Sequence, residues 1–175
     1  MVLAPRPLTL IGFDPGLRRT GWGVITMSGN RLSRVAEGVV TTDEKLSLGE
    51  RLATLYRGLV AILERYNPDE AAVEETFVNT NAVSTLKLGV ARGVVMLAPA
   101  ERGLPVAEYA STAVKKAVVG AGHADKIQVQ MMVNRILPGA VTAQADAADA
   151  LAVAICHAHH AGARRLDALA RRAAS

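Results

Sequence analysis

The sequence predicts a single α/β domain in which helices flank a mixed β-sheet. Its 175 residues suit one domain with a sizeable core, and 50% of them are hydrophobic. Short strand-like runs alternate with longer stretches of helical periodicity, without a linker or an internal repeat between them. We predict strands near 8–14, 21–27, 34–41, 70–75 and 105–109, and helices near 46–66, 81–99, 111–120, 125–136 and 144–161.

Two predicted strands end in a carboxylate. The apolar run LTLIGFD closes at Asp14, and the Pro-Gly turn after it leads into a second β-rich stretch, which predicts a hairpin. The turn signal NPDE precedes the short run AAVE, so Glu74 ends another strand. Because side chains alternate along a strand, the neighbouring Glu75 is predicted to point to the opposite face, and we assign it no catalytic role.

The predicted helices differ in what they bury. Helix 46–66 carries one apolar stripe, expected to pack on the sheet. Segment 81–99 is apolar around much of its circumference, which predicts burial on several sides. In QADAADALAVAICHA, Asp146 and Asp149 lie three residues apart and share a helix face, and the alanines between them permit close approach to a sheet. The apolar stripe of helix 46–66 comprises Leu48, Leu52, Leu55, Leu59 and Ile62.

Composition narrows the classes of function. The net charge is +4, and the lysines at 115, 116 and 126 and the arginines of the tail make an anionic partner plausible. One cysteine, Cys156, excludes an intrachain disulfide. We expect no membrane segment and no secretory leader, and therefore the cytoplasm. The core is expected to span about 8–161, followed by a basic tail, 162–175, that is flexible or forms an amphipathic helix.

The four acids Asp14, Glu74, Asp146 and Asp149 are the candidate site. Carboxylates brought together repel one another, and hard divalent cations such as Mg²⁺ or Mn²⁺ resolve that conflict. Two such ions form the usual arrangement for phosphodiester hydrolysis. The alternative is that each acid is an ordinary solvated cap or helix-face charge. A second possible metal tract, Cys156, His157, His159 and His160, is disfavoured because a helix would scatter these side chains around its axis.

Four segments decide between these interpretations. GFDPGLRRTGWGVI, AVEETFVNTNAVSTLKLGVARGVV, EYASTAVKKAVVGAGHADKIQVQ and QADAADALAVAICHAH resemble the RuvC family of Holliday-junction resolvases, in that order, from about Ile11 to about His159. The resemblance implies a ribonuclease-H-like fold and a bacterial homodimer that nicks two like-polarity strands of a four-way DNA junction in recombination and repair. It also implies two Mg²⁺ ions per site, replaceable by Mn²⁺, and a branch-migration motor of the RuvA and RuvB type as partner.

The same resemblance implies residue roles. Asp14, Glu74, Asp146 and Asp149 match the metal-binding acids of the family, and the helix near 81–99, with Gly89 and Gly93, matches a dimer contact. The basic side chains and the loop after Glu74 match DNA contacts, and Phe77 either stacks on bases or packs in the core. The expected DNA-contacting residues are Lys126 and Lys115 at the scissile phosphate, Lys116 at the backbone, and Phe77, Asn79 and Asn81 at bases. A ribonuclease-H-like nuclease for another nucleic acid and a non-catalytic junction-binding module are the alternatives.

Overall fold

The five strands form one mixed sheet in the order β3-β2-β1-β4-β5. The computed structural model describes residues 6–75, 81–139 and 144–173, with side chains up to residue 163. β1 pairs antiparallel with β2 and parallel with β4, and β5 extends the parallel part. The strands are β1 (Leu8–Asp14), β2 (Arg19–Ser28), β3 (Arg31–Thr41), β4 (Glu70–Glu74) and β5 (Val106–Tyr109).

The helices follow in the predicted order, and two of them begin with a reciprocal cap. Ser47 and Glu50 form a capping box at α1, and Asp125 and Gln128 form another at α4. Each box satisfies backbone N–H groups that have no partner within the helix. The helices are α1 (Leu48–Tyr66), α2 (Ala82–Glu101), α3 (Ser111–Val119), α4 (Lys126–Ile136) and α5 (Ala145–Ala173).

Each face of the sheet covers its own hydrophobic core. Alternation along β1 places Leu8 and Leu10 in a cluster with α3, α4 and α5, and places Ile11 and Phe13 in a second cluster with α1 and α2. Both clusters are built on the central strands β1 and β4, which explains why the runs LTLIGF and AAV are almost continuously apolar. The strand that ends at Asp14 is therefore anchored on both faces.

Helix α5 touches the sheet backbone to backbone. A Cβ atom on Gly12 would lie 2.3 Å from the backbone oxygen of Ala150 and 2.5 Å from the nitrogen of Ala154. On β2, a Cβ atom on Gly21 would lie 2.0 Å from the oxygen of Asp146. Only glycine in the strands and alanine in the helix allow this approach, as the alanine-rich sequence of the helix predicts.

The predictions for α5 and α1 were wrong in detail. α5 continues to Ala173 instead of ending at 161, since the residues after Gly162 are nearly all strong helix formers. The buried residues of α1 are Leu55, Leu59 and Leu63, whereas Leu48 in its first turn is exposed.

Helix α2 is not enclosed on several sides. Its buried residues are confined to one face, and much of its apolar surface is exposed within this chain. Within the described residues, α2 is also the one helix that is long and apolar enough to match a membrane span by length and composition. Length and composition alone do not distinguish such a span from a helix that packs against protein.

The close contact between β1 and α5 predicts the effect of a single methyl group. Gly12→Ala should lower the free energy of unfolding by roughly 1–3 kcal/mol, because the added Cβ atom must push the α5 backbone away. Urea denaturation measures the change. Gly49→Ala is the control, since nothing lies within 4 Å of a Cβ atom there, and in the helical setting of α1 it should be neutral or stabilising by up to about 1 kcal/mol. Equal effects of the two substitutions would contradict the close-packing explanation.

Candidate active site

The four predicted acids meet at one edge of the sheet. β1 and β4 are adjacent and parallel, so their final residues, Asp14 and Glu74, lie at the same end of the strands. The first turns of α5 lie over this edge, with the backbone of Asp146 against Gly21 and with Asp149 one turn further along. Two strand ends and one helix start therefore place four carboxylates in one region.

Asp14 is at the electrostatic centre of this group. Burial, followed by the negative charges of Glu74, Asp149 and Asp146, raises the pKa of Asp14 to about 8, and only Lys126 opposes the shift. All three other acids are therefore near enough to interact with Asp14. Without a cation, the cluster disfavours the ionised form of its central carboxyl group.

Glu74 has a more balanced environment. Burial and the charge of Asp149 raise its pKa, whereas a hydrogen bond from the Ser111 hydroxyl and the charges of Lys115 and Lys126 lower it, with a net increase. Ser111 is the first residue of α3, so this contact joins the start of that helix to the end of β4.

Asp146 and Asp149 are each paired with a cation. Nζ of Lys126 lies 2.7 Å from Oδ2 of Asp149, and Nε of Arg19 donates a hydrogen bond of 2.6 Å to Oδ2 of Asp146. The hydrogen bond to Asp149 raises the pKa of Lys126, so this amine keeps its proton. Two positively charged side chains thus offset part of the charge of the acids.

A cleft of about 180 Å³ opens beside the acids. Its walls come from β4, α3, α4 and α5, so three helices and a strand end converge on it. The lining residues are Glu74, Ser111, Val114, Lys115, Lys126, Val129, Asp149 and Ala152. Carboxylates on one wall and amines on another suit a phosphate that is held between bound cations and protein cations.

The chemistry of the donors fits a hard divalent cation. The candidate ligands are carboxylate oxygens, which Mg²⁺ and Mn²⁺ prefer. The raised pKa of Asp14 reflects burial first and then the negative charge of its neighbours, and a bound cation would oppose both effects. Over the part of the chain that is described, no three His, Cys, Asp or Glu side chains form a ready-made cage. The pairs with Arg19 and Lys126 each engage a carboxylate oxygen that a metal would use.

The predicted DNA-contacting residues have different positions. Lys115 and Lys126 line the cleft, whereas Lys116 is exposed and lies outside its lining. Asn81 precedes α2, and its side chain accepts a hydrogen bond from the Ser84 backbone, so it has a structural role as a cap. Phe77 and Asn79 lie outside the described residues.

Glu75, which the sequence predicted to face away from the site, is exposed and does not line the cleft. Its backbone N–H donates to the carbonyl of Tyr109 and so extends the pairing of β4 with β5.

Sequence reasoning missed Arg19 and Ser111. Arg19 begins β2 directly after the turn that follows Asp14, and its pairing with a residue 127 positions away leaves no local pattern. The position of Ser111 at the start of a predicted helix gave no signal either, since a hydroxyl there is expected to accept from backbone N–H groups of the helix. The chemistry of both residues depends on tertiary contacts.

The side chains of the cysteine and histidine tract do not point to a common site. Cys156 and His157 are buried, whereas His159 and His160 are exposed, as helical geometry requires. His157 has contacts elsewhere: its Nδ1 lies 2.9 Å from the Tyr109 hydroxyl, within hydrogen-bond distance, and its Nε2 approaches Oε2 of Glu70 at 3.0 Å. This tract therefore joins α5 to the sheet.

Comparison with known proteins agrees with this geometry. The family described as "Crossover junction endodeoxyribonuclease RuvC" matches residues 10–157. A protein of that name from Rhodospirillum rubrum is 65% identical over 165 residues, which are 94% of this chain and 97% of the relative.

Solved structures extend the comparison to the fold. Thermus thermophilus RuvC in complex with a Holliday junction is 34% identical, with a TM-score of 0.83 over 89% of this chain and 95% of that one. The yeast mitochondrial Holliday junction resolvase, at 12% identity, gives a TM-score of 0.63 over 93% of this chain and 85% of that one, and bears on the fold alone. The predicted ribonuclease-H-like fold is confirmed.

The raised pKa of Asp14 predicts a pH-dependent stability of the metal-free protein. Between its ordinary value of 3.8 and about 8, the folded protein holds a proton that the unfolded chain has released, so stability falls as the pH rises through this window. Asp14→Asn removes the loss and should stabilise the protein at pH 8 by roughly 1–3 kcal/mol, with a smaller gain at pH 5. Denaturation in EDTA at both pH values measures this gain.

Glu75→Gln is the control for this experiment, because it neutralises an exposed carboxylate outside the cleft. Its effect should be small at both pH values. A gain from Asp14→Asn that is the same at pH 5 and pH 8 would contradict the burial of a charged cluster.

Proposed function

Because the chain belongs to the RuvC family of crossover junction endodeoxyribonucleases, we propose that the acidic cleft is where it hydrolyses DNA. The function is resolution of Holliday junctions, the substrate named for the Thermus thermophilus relative. The observation that supports this use of the cleft is the coupling of Asp14 to three other acids beside Lys126. Such a cluster can hold divalent cations next to a phosphodiester.

The proposed ligands that would hold the cations are Asp14, Glu74, Asp146 and Asp149. Asp14 interacts with all three of the other acids, which supports a place for it at the centre of the ligand set. The proposed cofactor is Mg²⁺, two ions per site, with Mn²⁺ as a substitute. When bound, these ions supply activation of a water molecule and neutralisation of charge on the phosphate and the departing oxygen.

The other side chains of the cleft orient the reacting groups. Lys126 keeps its proton, so it can donate to a non-bridging phosphate oxygen as negative charge grows there, and Lys115 lies on the same cleft. The Ser111 hydroxyl favours the ionised form of Glu74, because its hydrogen bond lowers the pKa of that carboxyl group. Hydrolysis with cleavage of the bond to the 3′ oxygen leaves a 5′-phosphate and a nick that a ligase can seal.

Contacts away from the cleft would select the junction. We propose that Phe77 stacks on bases at the crossover, that Asn79 and Asn81 contact bases, and that Lys116 contacts the backbone. The exposed position of Lys116 is compatible with a phosphate contact. Contacts to the DNA backbone would supply much of the binding affinity. The preference for a four-way junction over linear DNA would come from the shape of the junction.

The exposed face of α2 supports a homodimer. Val83, Leu86, Val90 and Leu97 are exposed and follow helical spacing, and Gly93 continues the same stripe. No neighbouring group lies within 4 Å of a Cβ atom built on Gly89 or Gly93, so a second backbone could approach closely. Paired α2 helices would place two clefts on one junction.

We further propose a branch-migration motor of the RuvA and RuvB type as partner, and the bacterial cytoplasm as location.

The cleavage hypothesis predicts a contrast between neighbouring carboxylates. Glu74→Gln should lower the rate of junction nicking in Mg²⁺ by on the order of a hundredfold or more while junction binding persists, because a cation ligand and its charge are lost. Glu75→Gln should retain activity. Nicking of a synthetic four-way junction and of a matched linear duplex, on denaturing gels, measures both rate and selectivity.

The same assay distinguishes the alternatives. Junction binding by the wild type without nicking would identify a structure-recognition module, and equal cutting of linear duplex would identify a nuclease with another substrate. Either result would overturn the proposed function.

The dimer hypothesis predicts that a charge on α2 separates the subunits. Leu86→Glu should shift the protein from dimer to monomer in sedimentation experiments, since an unpaired carboxylate cannot be buried in an apolar contact. Ile127→Glu on α4 is the matched control, because Leu86 and Ile127 have nearly equal exposure, 70% and 69%. It should leave the dimer intact. Dissociation by both substitutions, or by neither, would argue against an α2 interface.

A further inference from the structure

The turn that follows Asp14 ends in an arginine bonded to α5. Nε of Arg19 donates to Oδ2 of Asp146 at 2.6 Å, and the two side chains are 43% and 30% exposed. Asp146 is one of the proposed cation ligands, so a protein cation already engages an oxygen that a metal would need. Both side chains have enough contact with solvent to exchange partners.

The backbone of this turn is fixed. The buried Thr20 hydroxyl donates to the Gly16 carbonyl at 2.7 Å and lies 3.2 Å from the Gly16 nitrogen. A Cβ atom on Gly16 would lie 2.2 Å from the Arg19 carbonyl oxygen, which shows how tightly the turn is closed. Exchange of partners at Arg19 is therefore a side-chain movement, and the strand that ends at Asp14 need not shift.

The Arg19 guanidinium and a divalent cation would compete for the carboxylate of Asp146. A solvent-exposed ion pair contributes little to stability, so a divalent cation held by several carboxylates can displace it. Once the cation is bound, repulsion between positive charges drives the guanidinium away from it. An arginine released beside the cleft is suited to a phosphate, which guanidinium groups bind through two parallel hydrogen bonds.

We propose that Arg19 is a metal-dependent phosphate contact: it holds Asp146 in the metal-free protein, and a divalent cation releases it to the DNA backbone. The inference rests on the proposed function, because it takes Asp146 as a cation ligand and DNA as the substrate. Release of Arg19 would couple cation binding to the affinity of the protein for junction DNA near the reacting phosphate.

The competition is tested without DNA. The dissociation constant for Mn²⁺, measured by calorimetry, should be about two- to fivefold lower in Arg19→Ala than in the wild type, because the competing guanidinium has been removed. Arg18→Ala is the matched control: it removes the same charge one residue away, and Arg18 approaches Glu44, at 3.8 Å, instead of Asp146. Arg19→Lys, which keeps the charge and the fold, should lie between Arg19→Ala and the wild type. Unchanged or weaker Mn²⁺ binding in Arg19→Ala, or an effect matched by Arg18→Ala, would overturn the proposal.

The release is tested by junction binding in EDTA and in Ca²⁺, with intact DNA verified on a denaturing gel. In EDTA, Arg19→Ala should bind the junction nearly as well as the wild type, because Asp146 holds the guanidinium. In Ca²⁺ it should bind about three- to tenfold more weakly, with a salt-dependence slope smaller by about 0.9, the value for one lost phosphate contact. An equal loss in both conditions would mean a permanent contact and would refute the release.

These outcomes are separable from failure of the proposed function. The Mn²⁺ comparison requires no cleavage and no DNA, whereas the proposed function fails if the wild type does not nick a four-way junction. Normal nicking together with unchanged Mn²⁺ affinity in Arg19→Ala would reject the inference alone.

Discussion

The packing of α5 directly on the glycines of β1 and β2 is the contact on which the site depends. Gly12 and Gly21 leave no room for a Cβ atom between strand and helix. The start of α5 is thereby held against the strand whose last residue is Asp14. A helix separated from the sheet by ordinary side chains would stand about 10 Å away and could not bring its first turns so near a strand end. Backbone contact therefore places the carboxylates in one cluster.

That proximity has an electrostatic cost which the chain offsets with its own cations. Burial and three like charges disfavour ionisation of Asp14. Lys126 and Arg19 each neutralise one aspartate of α5, and Ser111, Lys115 and Lys126 act on Glu74. These contacts explain how four acids coexist in the metal-free protein without a preformed cage. They also mean that cation binding must rearrange side chains that are already engaged.

The order of the elements and the positions of the four acids on them could be predicted because their signals are local, whereas the choice of these acids as a site depended on the resemblance of four segments to a known family. An apolar run that ends in an acid marks Asp14 and Glu74, and the three-residue spacing of Asp146 and Asp149 sets their shared helix face. The partners of these acids could not be predicted, since the Arg19 contact joins residues 127 positions apart.

Helix α2 was misjudged for a different reason. Periodicity shows which face is apolar, but it does not show whether this chain or a second one covers that face.

A buried polar group further along α5 fixes the position of the helix along its axis. His157 lies eight residues beyond Asp149, about 12 Å along a helix, and contacts the Tyr109 hydroxyl and Glu70. Tyr109 ends β5 and Glu70 begins β4, so one imidazole connects α5 to two strands. The hydrogen bond to Tyr109 has a narrow range of length, whereas the contact of alanine with glycine permits sliding along the strand. The glycines thus set the distance of α5 from the sheet, and His157 sets its position along the sheet. Because a helix is stiff, a shift at His157 would be carried to Asp146 and Asp149, and the geometry of the acids depends on both contacts.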